Sequence, residues 1–362
     1  MVNKAKQFLS AGSWYSVGGP MSDVALSTRV RLARNLANFP FPFCLTDSGK
    51  ERINSIVSGS FSRLQDAERY QFVPLCGLDK LGARVFAEWG LIKPDEESTA
   101  ALIISGGGNI SCRTNSTDHI RMAAFLPGLD CTGAYKLCHA LDEGLQQDIQ
   151  FAAAYDFGYL SASVSDTGSG MKVSVRVHLP CLALDGRIPL IVEELASRSL
   201  SMSSCYGAGG LFESALGAFY QISTVHSFSG SEFDQLAAVT AAVTYVAEKE
   251  RAARDTYVEQ KHTVLSGVVH RYYGLAKYSA FVDMREAVEI ISALKLGVDS
   301  GLLGGMEDSS FVSMLYRVCT GNLEFVIKKG SFSFEKDVDS TELRVRRLRA
   351  EILKEELKNI TG

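Results

Sequence analysis

The run Met171-Lys-Val-Ser-Val-Arg-Val-His-Leu179 alternates without a break: Met171, Val173, Val175, Val177 and Leu179 take one side, Lys172, Ser174, Arg176 and His178 the other. A period of two is that of a half-buried β-strand. Such alternation favours antiparallel sheet, because strands covered on both faces read as continuous apolar runs. Residues 24–32 repeat the pattern, with Val24, Leu26, Val30 and Leu32 against Ser27, Arg29 and Arg31. Ala100–Ile104 and Ile110–Thr114 predict a hairpin around Ser105-Gly-Gly-Gly-Asn109. Between these strands Leu137, Leu141, Leu145 and Ile149 recur at helical spacing, a stripe able to cover one face of the sheet.

From Ser231 onward the pattern turns helical. Helices are expected from Phe233 to about Val258, from Met284 to Leu296 with a stop at Gly297, and from a cap at Ser340 to about Asn359. The charged stretch Val246–Asp255 marks the join, which predicts a mixed domain over 1–250 and an all-helical one over 251–362. With 362 residues and 46% hydrophobic content the chain can bury a sizeable core, which excludes disordered and fibrous classes. No run of about 18 apolar residues suggests a membrane span, and the N-terminus does not read as a signal peptide. The net charge of −4 provides no global field for nucleic acid. Eight scattered cysteines without a CxxC pair point to buried, reduced thiols in a cytoplasmic protein.

The sharpest chemical signal is cationic. Arg29 and Arg31 share one strand face, Lys172 and Arg176 another, and Arg121 closes the tract Asn115-Ser-Thr-Asp-His-Ile-Arg121. Guanidinium forks two residues apart can grip neighbouring phosphate oxygens bidentately. From pattern alone a solvated outer sheet face accounts for them at least as well. Ser105–Gly108 lacks the Lys-Ser/Thr of a P-loop and fits a hairpin turn. Tyr206–Gly210 fits a connection or a loop over a pocket, and Ser163–Gly170 a turn or an anion-facing backbone. No His or Cys spacing suits a metal; His119 reads as structural, and Asp118 is the single carboxylate of its tract. Arg344, Arg346, Arg347 and Arg349 on the last helix fit a solvated face, a subunit contact or an anion pocket.

At these residues the chain resembles the ATP:guanidino phosphotransferases, and within them the bacterial protein-arginine kinases that work with Clp protease machinery. The resemblance is carried by Ser27-Thr-Arg-Val-Arg-Leu-Ala-Arg-Asn35, Asn115–Arg121, Phe125–Leu129, Gly158–Leu160, Gly168–Val175, His178–Pro180 and Ala218–Ser223. It continues through Glu250–Arg254, Arg271–Gly274 and Leu296–Gly301, and so covers Trp14 to Leu357 in order. The resemblance implies an α+β fold, an antiparallel sheet flanked by helices, followed by an all-α C-terminal domain for dimerisation and partner binding. It implies ATP with Mg, its phosphates held by Arg29, Arg31 and Arg121, with Lys172, Arg176 and Ser203 beside them. Implied partners are a protein substrate or a Clp-type protease or chaperone.

The departures are chemical. The family's two glutamates after Asn115, the second catalytic, are Ser116 and Thr117; its substrate-contacting cysteine is Ser163; two phosphate-binding arginines are Lys172 and Ser203. The acceptor-binding glutamate of the mobile loop is Ala208, and the Arg-Asp pair of the last helix is Val345-Arg346. A guanidinium stays protonated at neutral pH, so it needs anions to orient it and to take its proton. Thr117 and Ala208 do neither. Loss of general-base action costs on the order of 10²–10⁴-fold, and loss of one charge-stabilising donor roughly 10²–10³-fold. The expectation is transfer from ATP to a protein arginine with activity reduced or lost. The alternative is a silent pseudokinase acting as an adaptor. Asp118, Asp166 and Glu213 remain candidates for a replacement base.

Overall fold

The computed structural model describes residues 13–93, 99–207, 215–228 and 230–360. Ten strands occur among them: β1 Ala25–Arg34, β2 Tyr70–Pro74, β3 Ala101–Ser105, β4 Ile110–Thr114, β5 Ile120–Pro127, β6 Ala153–Ala154, β7 Gly158–Tyr159, β8 Met171–His178, β9 Leu200–Ser204 and β10 Phe219–Thr224. Eight of them form one sheet in the order β2-β3-β4-β5-β1-β8-β10-β9, and every neighbouring pair is antiparallel. The β3–β4 hairpin turns at the glycine run, with Gly108 at φ 69°, a conformation that costs glycine little. β6 and β7 pair separately as a small hairpin.

The alternation decides which face is buried. Val30, Leu32, Val173, Val175 and Val177 are all fully or almost fully buried. Over that face lie helix α3 (Cys131–Gln146, preceded in chain order by α1 Asp47–Phe61 and α2 Lys80–Glu88) and a later helix, Glu232–Gln260. α3 starts earlier than its leucine spacing suggests, because the Asp130 side chain accepts from the Gly133 N–H and caps it. Two short helices follow β8, α4 Pro180–Leu184 and α5 Ile188–Ala196.

The rest is helical: α6 Glu232–Gln260, α7 His262–Tyr278, α8 Met284–Asp299, α9 Asp308–Arg317, α10 Thr320–Lys329 and α11 Thr341–Leu357. α6 opens with a reciprocal capping box between Ser231 and Asp234. It runs straight through the charged stretch 246–255, where Glu250 is fully buried and accepts from the N–H groups of Cys181 and Leu182 at the start of α4. α8 passes Gly297 instead of stopping there. A side chain at Gly297 would collide with Leu303 and Val269, so the glycine permits close packing. Of the arginines of α11, Arg349 is not on a solvated face: it is buried and donates to the carbonyls of Val318 and Val282 and to Thr320, while Arg344, Arg346 and Arg347 are half-buried. All eight cysteines are free thiols, but Cys44 and Cys76 are exposed, so burial holds only for some of them. No helix among the described residues is long and apolar enough to cross a membrane.

Candidate active site

Residues directly opposite in an antiparallel ladder project from the same face. Lys172 lies opposite Arg31 and Ser174 opposite Arg29. On the other side of β1, Ala33 lies opposite Arg121, which lies opposite Arg113 of β4. Outward from β8, Arg176 lies opposite Gln221 and Gln221 opposite Ser203. The register therefore puts Arg113, Arg121, Arg31, Arg29, Lys172, Arg176 and Ser203 on one face, the one turned away from α3. The cations of separate strands share a single surface, and Ser203 stands at its far end with no charge to add.

That surface is electrostatically strained. Burial and the nearby Arg121 and Arg113 pull Arg31 down to about 10. Burial, then Arg31, Arg176 and Arg113, bring Arg29 well below the ordinary guanidinium value. Burial and Arg31 lower Lys172 in the same way. Among the described residues no carboxylate comes within ion-pair distance of Arg29, Arg31 or Lys172, and the buried Nε of Arg31 has no partner. Arg29, Arg31 and Lys172, like charges gathered with no carboxylate on them among the described residues, make a site suited to an anion.

Aromatic rings border this charge. The Arg29 guanidinium sits 5.6 Å from the Phe125 ring centroid, and Arg176 donates to the Tyr316 hydroxyl at 3.2 Å. Trp14 stacks on Phe125 and Tyr15 on Tyr316. Between them Trp14, Trp89, Phe125 and Tyr316 help line a cavity of about 220 Å³.

The Asn115–His119 tract is the turn between β4 and β5, closed by the Asn115 N–H donating to the His119 carbonyl. Asn115 takes φ 49° there, and its side chain donates to the Lys50 carbonyl and to Asn54. Thr117 is half-buried and accepts from Lys93 at 3.1 Å. Asp118 is fully buried and held by four donors: Asn35 at 2.8 Å, Ser161 and the Ala162 N–H at 2.9 Å each on Oδ1, and Arg121 at 2.9 Å on Oδ2. Burial alone would raise its pKa, but Arg121 and these hydrogen bonds outweigh burial and hold it below the usual carboxylate value. Asp118 is a structural anion. His119 is structural too: its Nδ1 accepts from the Leu36 N–H and its Nε2 bonds the Pro40 carbonyl.

The segment 160–170 lies beside Arg121. Ser163 hydrogen-bonds Ser165, and Asp166, ending the turn Val164–Asp166, reaches Arg121 at 2.5 Å. Arg121 is thus gripped by two carboxylates, Asp118 and Asp166. Glu213 and Ala208 lie outside the described residues. Arg113 escaped the reading of the sequence although it sits mid-strand in β4; a lone arginine in a five-residue strand becomes informative only once its register with Arg121 is known.

An antiparallel sheet carrying a row of cations, with helices behind it and after it, defines the guanidino kinase fold. A lombricine kinase superposes with a TM-score of 0.55 at 18% identity, over 64% of this chain and 67% of its own. The duplicated taurocyamine kinase from Schistosoma mansoni gives 0.57 at 19%, over 72% and 39%. The chain belongs to the ATP:guanido phosphotransferase family, whose C-terminal catalytic domain is matched by residues 52–253. A protein-arginine kinase from Geobacillus sp. (strain WCH70) is 32% identical over 81% of this chain and 82% of its own length. Another from Halothermothrix orenii is 28% identical over 92% and 96%.

Proposed function

We propose that the cation row binds the phosphates of ATP, and that the chain transfers phosphoryl groups to protein arginine in the cytoplasm at a rate far below that of an intact site. The observation carrying this reading is the row Arg113, Arg121, Arg31, Arg29, Lys172 and Arg176 on one sheet face, with Arg29, Arg31 and Lys172 lacking any carboxylate partner among the described residues. Arg29, Arg31 and Arg121 would grip the phosphates of the nucleotide from the protein side, and Mg supplied with the nucleotide would offset their remaining charge. The slow rate follows from the missing anions. Ser116 and Thr117 are neutral, and Asp118 is held by four donors, three on Oδ1 and Arg121 on Oδ2. Loss of the base alone is worth on the order of 10²–10⁴-fold. Ser163 in place of a thiol and Ser203 in place of a guanidinium extend the deficit.

A second reading has support from the same neutral positions: a silent adaptor that keeps the nucleotide site and recruits a Clp-type protease or chaperone. In both readings the helical part from residue 251 carries the dimer and partner contacts.

Incubation with ATP-Mg and an arginine-rich protein, followed by mass spectrometry for acid-labile phosphoarginine, separates the two. A slow signal abolished by Arg31→Ala is expected, and complete silence favours the adaptor. A thermal shift with millimolar ADP-Mg tests the phosphate site itself. Absence of any shift would overturn both readings of the cation row.

A further inference from the structure

We infer that Asp166 is the carboxylate that receives the acceptor guanidinium, and that it does so only after a polyphosphate has taken Arg121 from it. The inference rests on the nucleotide-site reading above and adds the residue and the order of binding. Asp166 is already engaged in the interaction it would make with a substrate: a carboxylate holding a guanidinium, with Arg121 as the internal occupant at 2.5 Å. Its side chain is 21% exposed, whereas Asp118, the other carboxylate on Arg121, is completely buried and bonded on both oxygens. Of the two, only Asp166 can change partners without stranding a buried charge.

Its location suits the role. Asp166 follows Ser163 by three residues on a turn that is fastened from several sides. The Ser227 N–H donates to the Ser165 carbonyl, and Ser161 and the Ala162 N–H hold Asp118. Asp166 also feels Arg31 and Lys172, so it stands at the border between the cation row and the surface beside Ser163.

Electrostatics then dictate an order. Before a polyphosphate binds, Arg31, Lys172 and Arg121 repel an incoming guanidinium, and Asp166 is taken. A bound polyphosphate supplies Arg121 with oxygens, cancels the positive field and frees Asp166. The two ligands must therefore bind with positive coupling, and reciprocity requires each to tighten the other by the same factor. Couplings of this kind typically amount to 5–150-fold.

The test uses the full chain, with ADP-Mg and N-acetyl-arginine amide as probes and N-acetyl-lysine amide as control, read by NMR titration and calorimetry. In the unaltered protein ADP-Mg is expected to tighten N-acetyl-arginine amide at least fivefold, with little effect on the lysine probe. Asp166→Asn is expected to bind ADP-Mg several-fold more tightly, because a competing anion has gone, while arginine binding and the coupling are lost. Asp166→Glu restores part of both. A merely structural Asp166 gives the opposite pattern, with Asp166→Asn weakening ADP-Mg, and this overturns the inference. So does unchanged arginine affinity in Asp166→Asn, or a coupling factor of one in the unaltered protein. Failure of ADP-Mg to bind any form sinks the nucleotide site itself, an outcome distinct from ADP-Mg binding without coupling.

Discussion

Asp142→Ala tests what fastens the site to the sheet. Arg34, at the end of β1, has a side chain only 1% exposed, and Asp142 on α3 only 2%. Their bond is bidentate, Nε to Oδ1 at 3.0 Å and Nη2 to Oδ2 at 2.9 Å. The remaining donor, Nη1, serves the carbonyls of Ala33 and Ser169, and the guanidinium lies 3.6 Å from the Tyr159 ring centroid. Removing the carboxylate leaves a fully buried cation facing two carbonyls and a ring. Loss of one partner from such a pair costs about 3–5 kcal/mol, whereas replacing both by apolar side chains is often neutral. With a urea slope of about 3 kcal/mol/M, the midpoint should fall by roughly 1 M or more. Arg34→Met combined with Asp142→Leu should recover most of the loss.

The same variant reaches the site, because Ser169 and Gly170, whose carbonyls are held by Arg34 and by the Ala33 N–H, end the segment that carries Asp166. Hydrogen exchange over 160–170 should therefore speed up in Asp142→Ala. A cost below about 1 kcal/mol, or a double variant that loses the full sum of the two singles, would refute the reasoning.

Glu250 makes stability depend on pH. Burial pushes it up from 4.5 to about 7, against the two N–H groups and Arg254. The folded state then keeps a proton that the unfolded chain releases, so its stabilising contribution is complete below about pH 4.5 and fades as pH rises to about 7. The whole effect is about 3 kcal/mol, and denaturation midpoints of Glu250→Gln should lose that part of the slope. Thr117→Glu returns a carboxylate beside Lys93, whose ammonium is within reach to hold it. Phosphoarginine formation should rise by roughly 10²-fold or more; an unchanged rate with nucleotide binding intact would place the deficit at Ser163, Ser203 and Ala208 instead. Arg31→Ala should abolish the ADP-Mg thermal shift while leaving the fold in place, because the backbone pairing of Arg31 is kept and its buried side-chain Nε has no partner among the described residues.

The sheet was legible because its two central strands carry opposite chemistry on alternate residues, and that pattern survives without any knowledge of the neighbours. Register leaves no such trace. That Arg113 faces Arg121, or that Lys172 faces Arg31, depends on where strands far apart in sequence slide to rest. The charged stretch 246–255 shows the same limit: composition marks it as the join, and only the structure shows that Glu250 accepts from the start of α4 and that Arg254 reaches Asp23 and the carbonyl of Asp299. Charge in a sequence says nothing about whether a partner lies across the core. Asp118 and Asp166 make the point most directly. Both are aspartates close to polar turns, and residue type alone offers either as a replacement base; only three dimensions separate them. One is closed off by four donors, while the other holds a single guanidinium that a phosphate can take away. Chemistry lost at Ser116 and Thr117 could be read from residue types alone; chemistry that could replace it depends on which carboxylate can let go.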